Sequence, residues 1–405
     1  MTIAVTLDKA RRGEELTVDD GETLLGAEGE ALDQLLRTAD AVRRERKGDV
    51  VTYVVNRNIN FTNVCVKRCG FCAFSRGHRA EEGYFLPVEE VIRRAREAFD
   101  LGATEVCLQA GLPPRMKGTY YIDLCRAIKT ELPALHLHAF SPEEVLYGAT
   151  QSGKSVEWYL AALKDAGVGS LPGTSAEILD DEVRERISPG RISTADWIRV
   201  IGGAHRAGIP TSSTMMFGCV ETVRHQAAHL ALIRQLQKET GGFTEFVPLS
   251  FIHTEAPIFV KARMPGIRPG PSPDDVLRTY AVSRLMLAGW IDNVQSSWVK
   301  QGQAFAARCL SAGANDFGGT LMNESISTAA GAANGQCLTP AEIRSVIRGA
   351  GRVPMERTTT YGRVQRLEGA PDQPHPLDTP RQFGTYRELV MSGTFRFRDR
   401  QRISD

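Results

Sequence analysis

No stretch of the 405-residue chain approaches the roughly 18 uncharged apolar residues that a bilayer-spanning helix needs. The N-terminal MTIAVTLDKARRGEE also has no apolar core of the secretory kind. Both features predict a cytoplasmic protein with no membrane partner. An excess of one charge is missing too. The chain sets 49 Lys and Arg against 48 Asp and Glu, a formal +1, which excludes a polybasic surface binder and predicts no nucleic-acid partner. Eight cysteines are too few for a secreted disulfide scaffold. Neither a Gly-x-x-x-x-Gly-Lys phosphate loop nor a dinucleotide fingerprint sits after a strand, and the Gly-x-Ser-x-Gly elbow is absent. Kinase, dehydrogenase and hydrolase readings lose their main support. Internal repeats and low-complexity tracts are likewise missing, and 42% hydrophobic with 24% charged residues is the balance of a folded globular chain.

From about residue 50 to 350, β-branched apolar runs alternate with helical periodicity, the pattern of repeated β-α units around a parallel sheet. Gly102, Gly167, Gly208, Gly241, Gly289 and Gly313 each end a predicted helix just before a strand. Ser141-Pro-Glu-Glu, Ser272-Pro-Asp-Asp and Thr339-Pro-Ala-Glu read as helix starts with a capping oxygen, a proline and an acid three residues on. Val88, Val91, Ile92, Ala95 and Phe99 form one apolar helical stripe. Candidate strands lie near 51–55, 105–109, 135–140, 168–171, 209–216, 245–252, 293–298 and 314–317. Eight such units predict a (β/α)8 TIM-type barrel, with an open doubly wound sheet as the alternative. The expected organisation is a helical N-terminal segment over 1–48, the barrel over 49–351, and a C-terminal extension over 352–405 packing on it.

Three cysteines fall within eight residues, in Asn60-Phe-Thr-Asn-Val-Cys65-Val-Lys-Arg-Cys69-Gly-Phe-Cys72-Ala-Phe-Ser75. In a reducing compartment such clustering means metal or catalysis before disulfide. Three thiolates from one loop can ligate three corners of an iron–sulfur cube and leave the fourth iron open. Gly70 is expected to give a tight turn, Phe71 and Phe74 to shield the cluster, and Lys67 and Arg68 to favour thiolates. A zinc site remains open as a reading, with His78 as its fourth ligand. The loop leaves the C-terminal end of the first strand, where barrel active sites lie.

Cys-x3-Cys-x2-Cys with an aromatic residue before the last cysteine resembles the signature of radical S-adenosylmethionine (radical SAM) enzymes. In that family the open iron chelates the amino and carboxylate groups of S-adenosylmethionine. One electron from the reduced cluster then breaks a carbon–sulfur bond, and the 5′-deoxyadenosyl radical takes hydrogen from substrate. The runs NINFTNVCVKRCGFCAFSR, SLPGTSAEIL, TSSTMMFG, SWVKQG and GANDFGGTLMNESISTAAGA resemble the deazaflavin and menaquinone branch. Within it they are most similar to the family of FO synthase second subunits, the 4-hydroxybenzyl transferases of coenzyme F420 biosynthesis.

The resemblance implies a 4Fe–4S cluster on Cys65, Cys69 and Cys72 with S-adenosylmethionine on the fourth iron. It implies coupling of L-tyrosine to 5-amino-6-(D-ribitylamino)uracil through Cα–Cβ scission, with 2-iminoacetate released. A reductant such as ferredoxin or flavodoxin would supply the electron. A ring-closing FO synthase subunit would bind the chain or receive its product, since this chain carries one cysteine triad. The ring-closing subunit itself and a futalosine-route menaquinone enzyme share the chemistry and stay open. A structural-metal or electron-transfer protein is the non-enzymatic reading, and the missing fourth cysteine speaks against it.

By the same resemblance Gln109 and Gly111 meet the methionine amino group, Thr174, Ser175 and Glu177 meet the ribose and methionine parts, and Met216, Gly218 and Glu221 pack adenine. Each also has a structural reading: a turn, a helix cap, or an acid at a helix start. Asn315, Asp316, Thr320 and Glu324 are polar groups at a barrel mouth, costly to desolvate unless they bind something, which makes them substrate candidates. His136 and His138 share one face of the third strand, and His253 follows the sixth. All three are candidate catalytic residues beside the commoner reading of core histidines.

Overall fold

The computed structural model describes residues 2–261, 264–362, 364–366, 374–379 and 383–400. Three helices, Ile3–Arg11, Val18–Leu25 and Gly29–Lys47, precede the first strand. The second and third pack on the helices Val223–Thr240 and Pro273–Leu287. Among the described residues no helix is long and apolar enough to cross a membrane.

The first strand is long and comes in two halves, β1 (Val50–Val54) and β2 (Asn56–Ile59). Then follow β3 (Glu105–Leu108), β4 (His136–Ala139), β5 (Val168–Ser170), β6 (Thr211–Phe217), β7 (Phe243–Ser250) and β8 (Asp316–Gly319). Parallel pairing joins β2 through β5, β6 to β7, and β8 to β1. Single parallel bridges span the remaining gaps: Leu171 to Thr211, Phe246 to Val294, Gln295 to Asp316, and Arg57 to Met322. The ring is closed, as a (β/α)8 barrel requires and an open doubly wound sheet does not. The strand expected near 293–298 shrinks to the bridging pair Val294 and Gln295, because the chain turns at once into the short helix Trp298–Gln301.

Local chemistry explains the punctuation. Ser141, Ser272 and Thr339 each close a full capping box with Glu144, Asp275 and Glu342. All six helix-ending glycines take positive φ, from 65° at Gly241 to 105° at Gly313. The apolar stripe of the helix Val88–Asp100 is rotated from the expected one. Val91, Ala95 and Ala98 are buried while Phe99 stays 41% exposed, since the small Ala98 lets the helix lie close on the sheet.

The chain beyond residue 352 does more than pack on the outside. β9 (Val353–Arg357) runs parallel to β1, with Val50 opposite Val353 and Tyr53 opposite Glu356, and β10 (Val364–Arg366) returns antiparallel. β1 therefore has β8 on one edge and β9 on the other, and the hairpin sends Arg357, Thr359 and Tyr361 under the barrel. Arg357 donates from Nε to Asp316 at 2.5 Å and from Nη2 to Asp316 at 3.1 Å and Glu245 at 3.3 Å. The Tyr361 hydroxyl donates to Glu245 at 2.8 Å, and its ring lies 4.1 Å from the Arg357 guanidinium. These residues make a polar floor that closes the N-terminal end of the barrel.

Removing one partner of a buried charge pair costs more than the pair contributes. Arg357→Met is expected to lower folding stability by about 3–5 kcal/mol, read from the urea-unfolding midpoint. A midpoint equal to the wild type would show that the floor tolerates its acids unpaired.

Candidate active site

A cavity of about 370 Å³ is lined by the cysteine loop, by the loops leaving the strand C-termini, and by inward-facing strand residues. The cysteine loop is held by backbone bonds on three sides. Cys65 N–H donates to Arg76 O at 3.0 Å and Val66 N–H to Leu112 O at 2.8 Å. Gly70 N–H donates to Ile187 O, and Gly70 O accepts from Ile258 N–H, both at 2.8 Å. Gly70 sits in the expected turn, where Cys72 N–H donates to Cys69 O at 3.1 Å, and a Cβ on it would meet Ile258 Cβ at 3.0 Å. Gly111 N–H donates to Thr62 O at 2.9 Å, and a Cβ there would lie 2.3 Å from Val64 O. The strand-end glycine thus serves as the seat of the cysteine loop.

Cys65, Cys69 and Cys72 are free, half-buried, and line the cavity. Burial pushes the Cys69 thiol up to about 11, against the pull of Arg191. The cation at the triad is this Arg191, whose Nη1 lies 3.2 Å from Cys69 Sγ and whose guanidinium faces the Phe71 ring at 5.4 Å. Lys67 turns instead to Glu143, 3.2 Å away. His78, the fourth ligand a zinc site would take, is exposed. Among the described residues no three His, Cys, Asp or Glu side chains converge on a single ion. Three thiols with no fourth protein ligand fit instead a cube of irons, each iron taking one thiolate and one left open.

Five of the eight expected cofactor residues line this cavity beside the triad. Gln109 Oε1 accepts from Thr174 Oγ1 at 2.8 Å, and Ser175 Oγ accepts from Arg191 Nη2 at 2.7 Å. Glu177 lies 3.4 Å from both Arg184 and Arg191. Ser175 and Glu177 take φ of 62° and 41°, a strained backbone held by this network. With Gly111 they form one wall.

The other three stand apart from the lining. The Glu221 carboxylate folds back on its own turn, accepting from Gly218 N–H at 2.7 Å, Cys219 N–H at 2.9 Å and Arg268 Nη2 at 2.6 Å. A Cβ on Gly218 would lie 2.4 Å from Pro271 Cδ, and Met216 is half-buried.

Of the substrate candidates only Glu324 lines the cavity, where it also accepts from Ser327 N–H at 2.8 Å. Asn315 accepts from Arg284 Nη2 at 2.5 Å, Asp316 is taken by Arg357, and Thr320 donates to Asn56 O at 2.8 Å. These three desolvated polar groups are satisfied inside the barrel wall, so no ligand is needed to account for them. Among the histidines, His138 lines the cavity, and burial lowers it to about 4. Its Nδ1 and the Nε2 of His136 both lie 2.7 Å from Ser170 Oγ, which joins the two rings. His253 stands against Phe259, its ring centroid 4.6 Å away.

Several lining residues had drawn no attention in the sequence. Arg191 sits in a connecting loop and carries no local signal. Lys300 lies in the SWVKQG run, and burial lowers its ammonium, with Glu324 and Cys72 as its nearest charges. Glu144, read only as a helix cap, faces the cavity, where burial raises its carboxyl to about 7. Glu105, Ser212, Thr214 and Glu245 are polar residues at inward positions of strands, and their period of two was the available signal.

Residues 59–233 match the Radical SAM superfamily, and residues 240–369 match the CofH/MqnC C-terminal region. The chain is 48% identical over 352 residues to the 5-amino-6-(D-ribitylamino)uracil–L-tyrosine 4-hydroxyphenyl transferase of Methanothermobacter thermautotrophicus, covering 87% of this chain and 95% of that one. It is 50% identical over 351 residues to the FO synthase of Streptomyces coelicolor, covering 86% of this chain and 40% of that longer one. Among solved structures, methylornithine synthase superimposes with a TM-score of 0.64 at 20% identity, over 86% of this chain and 97% of that one. The FeFe-hydrogenase maturase HydG of Carboxydothermus hydrogenoformans gives 0.68 at 19% identity, over 89% and 80%. Those two establish the shared barrel. The triad at the mouth of a closed barrel and the two matched regions together place the chain: it belongs to the radical SAM superfamily, in the branch that carries the CofH/MqnC C-terminal region.

Proposed function

We propose that this chain transfers the 4-hydroxybenzyl group of L-tyrosine to 5-amino-6-(D-ribitylamino)uracil, the first joining step of deazaflavin synthesis. The observation that carries the reading is one continuous cavity with the cysteine triad at its mouth and polar side chains down to a closed floor. The choice of substrates follows the transferase that the chain matches over 95% of its length.

Cys65, Cys69 and Cys72 would hold the cluster, and Gln109, Gly111, Thr174, Ser175 and Glu177 would flank S-adenosylmethionine on it. When bound, this pair supplies the carbon-centred radical that takes one hydrogen atom from tyrosine. The residues of the chain place the substrates and keep water away. Phe74 lies 5.5 Å from the Tyr386 ring of the helix Tyr386–Ser392, which covers the outer side of the cysteine loop. The floor of Arg357, Tyr361, Asp316 and Glu245 blocks the opposite end. Exclusion of water and fixed placement of the reacting atoms suppress side reactions of the radical. Glu324 belongs to the substrate side. Met216 supports the wall from behind, its N–H donating to Glu177 O at 2.9 Å. The reaction runs in the cytoplasm with ferredoxin or flavodoxin as electron source, and a separate ring-closing subunit receives the product.

Anaerobic assay of cluster-reconstituted protein with dithionite, S-adenosylmethionine and both substrates is expected to give 5′-deoxyadenosine and a coupled adduct by mass spectrometry. Adduct should require both substrates and vanish in Cys69→Ala. Deoxyadenosine without adduct would move the assignment to the ring-closing or menaquinone substrates. The absence of deoxyadenosine from cluster-loaded protein would sink the radical mechanism.

Arg191 is the cation nearest the triad on the cofactor wall, and a charge-assisted hydrogen bond to the carboxylate of S-adenosylmethionine is worth roughly 1.5–3 kcal/mol. Arg191→Gln should therefore raise the S-adenosylmethionine concentration for half-saturation by about tenfold or more, with iron content unchanged. An unaltered saturation curve would place the carboxylate elsewhere.

A further inference from the structure

The cavity is not electrically uniform along its depth. Inward positions alternate along each strand, so Glu105, Cys107 and the following Gln109 line one wall at successive levels. From Gln109 down to Glu105 the wall descends about 13 Å at about 3.3 Å per residue. Asn56 pairs in register with Glu105, and Ser212 with Glu245. Glu105 and Glu245 lie within reach of each other's charge, and with Ser212 they form the deep end that Arg357 and Thr359 close from below. At the shallow level stand Lys67, Arg191 and Lys300, around the cysteine triad.

The two ends differ in what they leave for a ligand. At the deep end the Arg357 charge is taken up by Asp316, to which it donates from two nitrogens. Burial works against the Glu105 carboxylate, while His138, the Asn56 amide, which donates to it at 2.9 Å, and the Thr359 hydroxyl lower its pKa. Glu245 is a second buried carboxyl group, raised to about 7 by burial and the neighbouring Asp316 against the pull of Arg357. Asn58 Oδ1, on a cavity-lining residue, is buried without a hydrogen-bond partner, and the Thr359 hydroxyl, also on the lining, faces the Glu105 carboxylate. Thr359 is itself 95% buried, being 5% exposed. The floor thus presents two carboxyl groups and an amide oxygen to the cavity. At the shallow end Lys300, half-buried, faces the cavity with Glu324 and Cys72 as its charged neighbours.

We propose that the deep end, with Glu105, Glu245, Asn58 and Thr359, binds the polyhydroxylated aminopyrimidine, and that Lys300 at the shallow end binds the carboxylate of the amino acid. The assignment rests on the coupling reaction proposed above and adds the orientation of its two substrates. A ribitylaminopyrimidine offers hydroxyl, amino and ring N–H donors and carries no anionic group, which suits a floor rich in acceptors. An amino acid brought there would set its carboxylate against two acids in a dry site, whereas at Lys300 it meets a cation. The amino acid then lies next to the cysteine loop, where hydrogen abstraction begins, with the pyrimidine ring beneath it to receive the fragment.

Calorimetric titration of cluster-loaded, unreduced protein with S-adenosylmethionine present measures the two substrates separately and without turnover. Glu105→Gln is expected to weaken 5-amino-6-(D-ribitylamino)uracil about tenfold, or about 1.4 kcal/mol, and to change L-tyrosine by less than about twofold. Thr359→Val is isosteric and removes a hydroxyl at the floor beside Glu105, so it keeps the test alive if the first variant folds poorly. It should weaken the pyrimidine about fivefold, the worth of one neutral hydrogen bond. Lys300→Met should show the reverse selectivity, weakening tyrosine about tenfold and sparing the pyrimidine. Floor variants that weaken tyrosine, or that leave both substrates untouched, would overturn the orientation while the coupling reaction stands. Wild-type protein that binds tyrosine but no pyrimidine would overturn the coupling reaction and this assignment with it.

Discussion

A carboxylate buried inside a closed sheet needs a counter-charge within bonding distance, and Arg357 meets that need for Asp316 and Glu245 together. The arginine does not come from the eight-stranded ring. It arrives on β9, which lies along β1 after the last β-α unit is complete. That one guanidinium ties the C-terminal hairpin to the barrel and seals its lower end. It also leaves the cavity open only toward the loops that carry the cysteines. Without the seal, the polar interior would be a channel to solvent, and the acids at the floor would be hydrated instead of available to a ligand.

The upper end depends on the same economy of space. Gly111 lets the strand end press against the cysteine-loop backbone, where a methyl group would collide, and Gly70 packs close to Ile258 and Ile187. The loop is therefore placed by the strand ends and not by its own sequence. Arg191 completes the arrangement by meeting Glu177, Ser175 and Cys69 from one side chain. The strained φ of Ser175 and Glu177 is sustained by those contacts. A rigid wall of this kind fixes a reactive fragment at a constant distance from the substrate, which is what a radical reaction demands of its protein.

Much of the architecture was legible from residue order. Strand positions, helix caps and terminal glycines report local backbone preferences, and these survived into the folded state at Ser141, Ser272, Thr339 and the six glycines. Where side chains end up relative to a cavity is a different question. Asn315, Asp316 and Thr320 read as a ligand-facing group because they cluster in sequence, yet each finds its partner in another strand or helix: Arg284, Arg357 and Asn56. Glu105 and Glu245 showed no clustering at all, being 140 positions apart in the chain, and meet only because register and closure bring their strands to one level.

The sequence by itself determined the cysteine triad, the alternation of strands and helices, and the punctuation of each unit. These depend on neighbours within one turn or one loop, where the covalent chain already holds the groups together. Tertiary structure decided which polar residues line the cavity, that Arg191 stands by the thiols, and that the C-terminal hairpin makes the floor. Those outcomes depend on strand register, where a shift of one residue turns every side chain to the other face. They depend also on the demand that each buried charge find its partner, however distant in the chain.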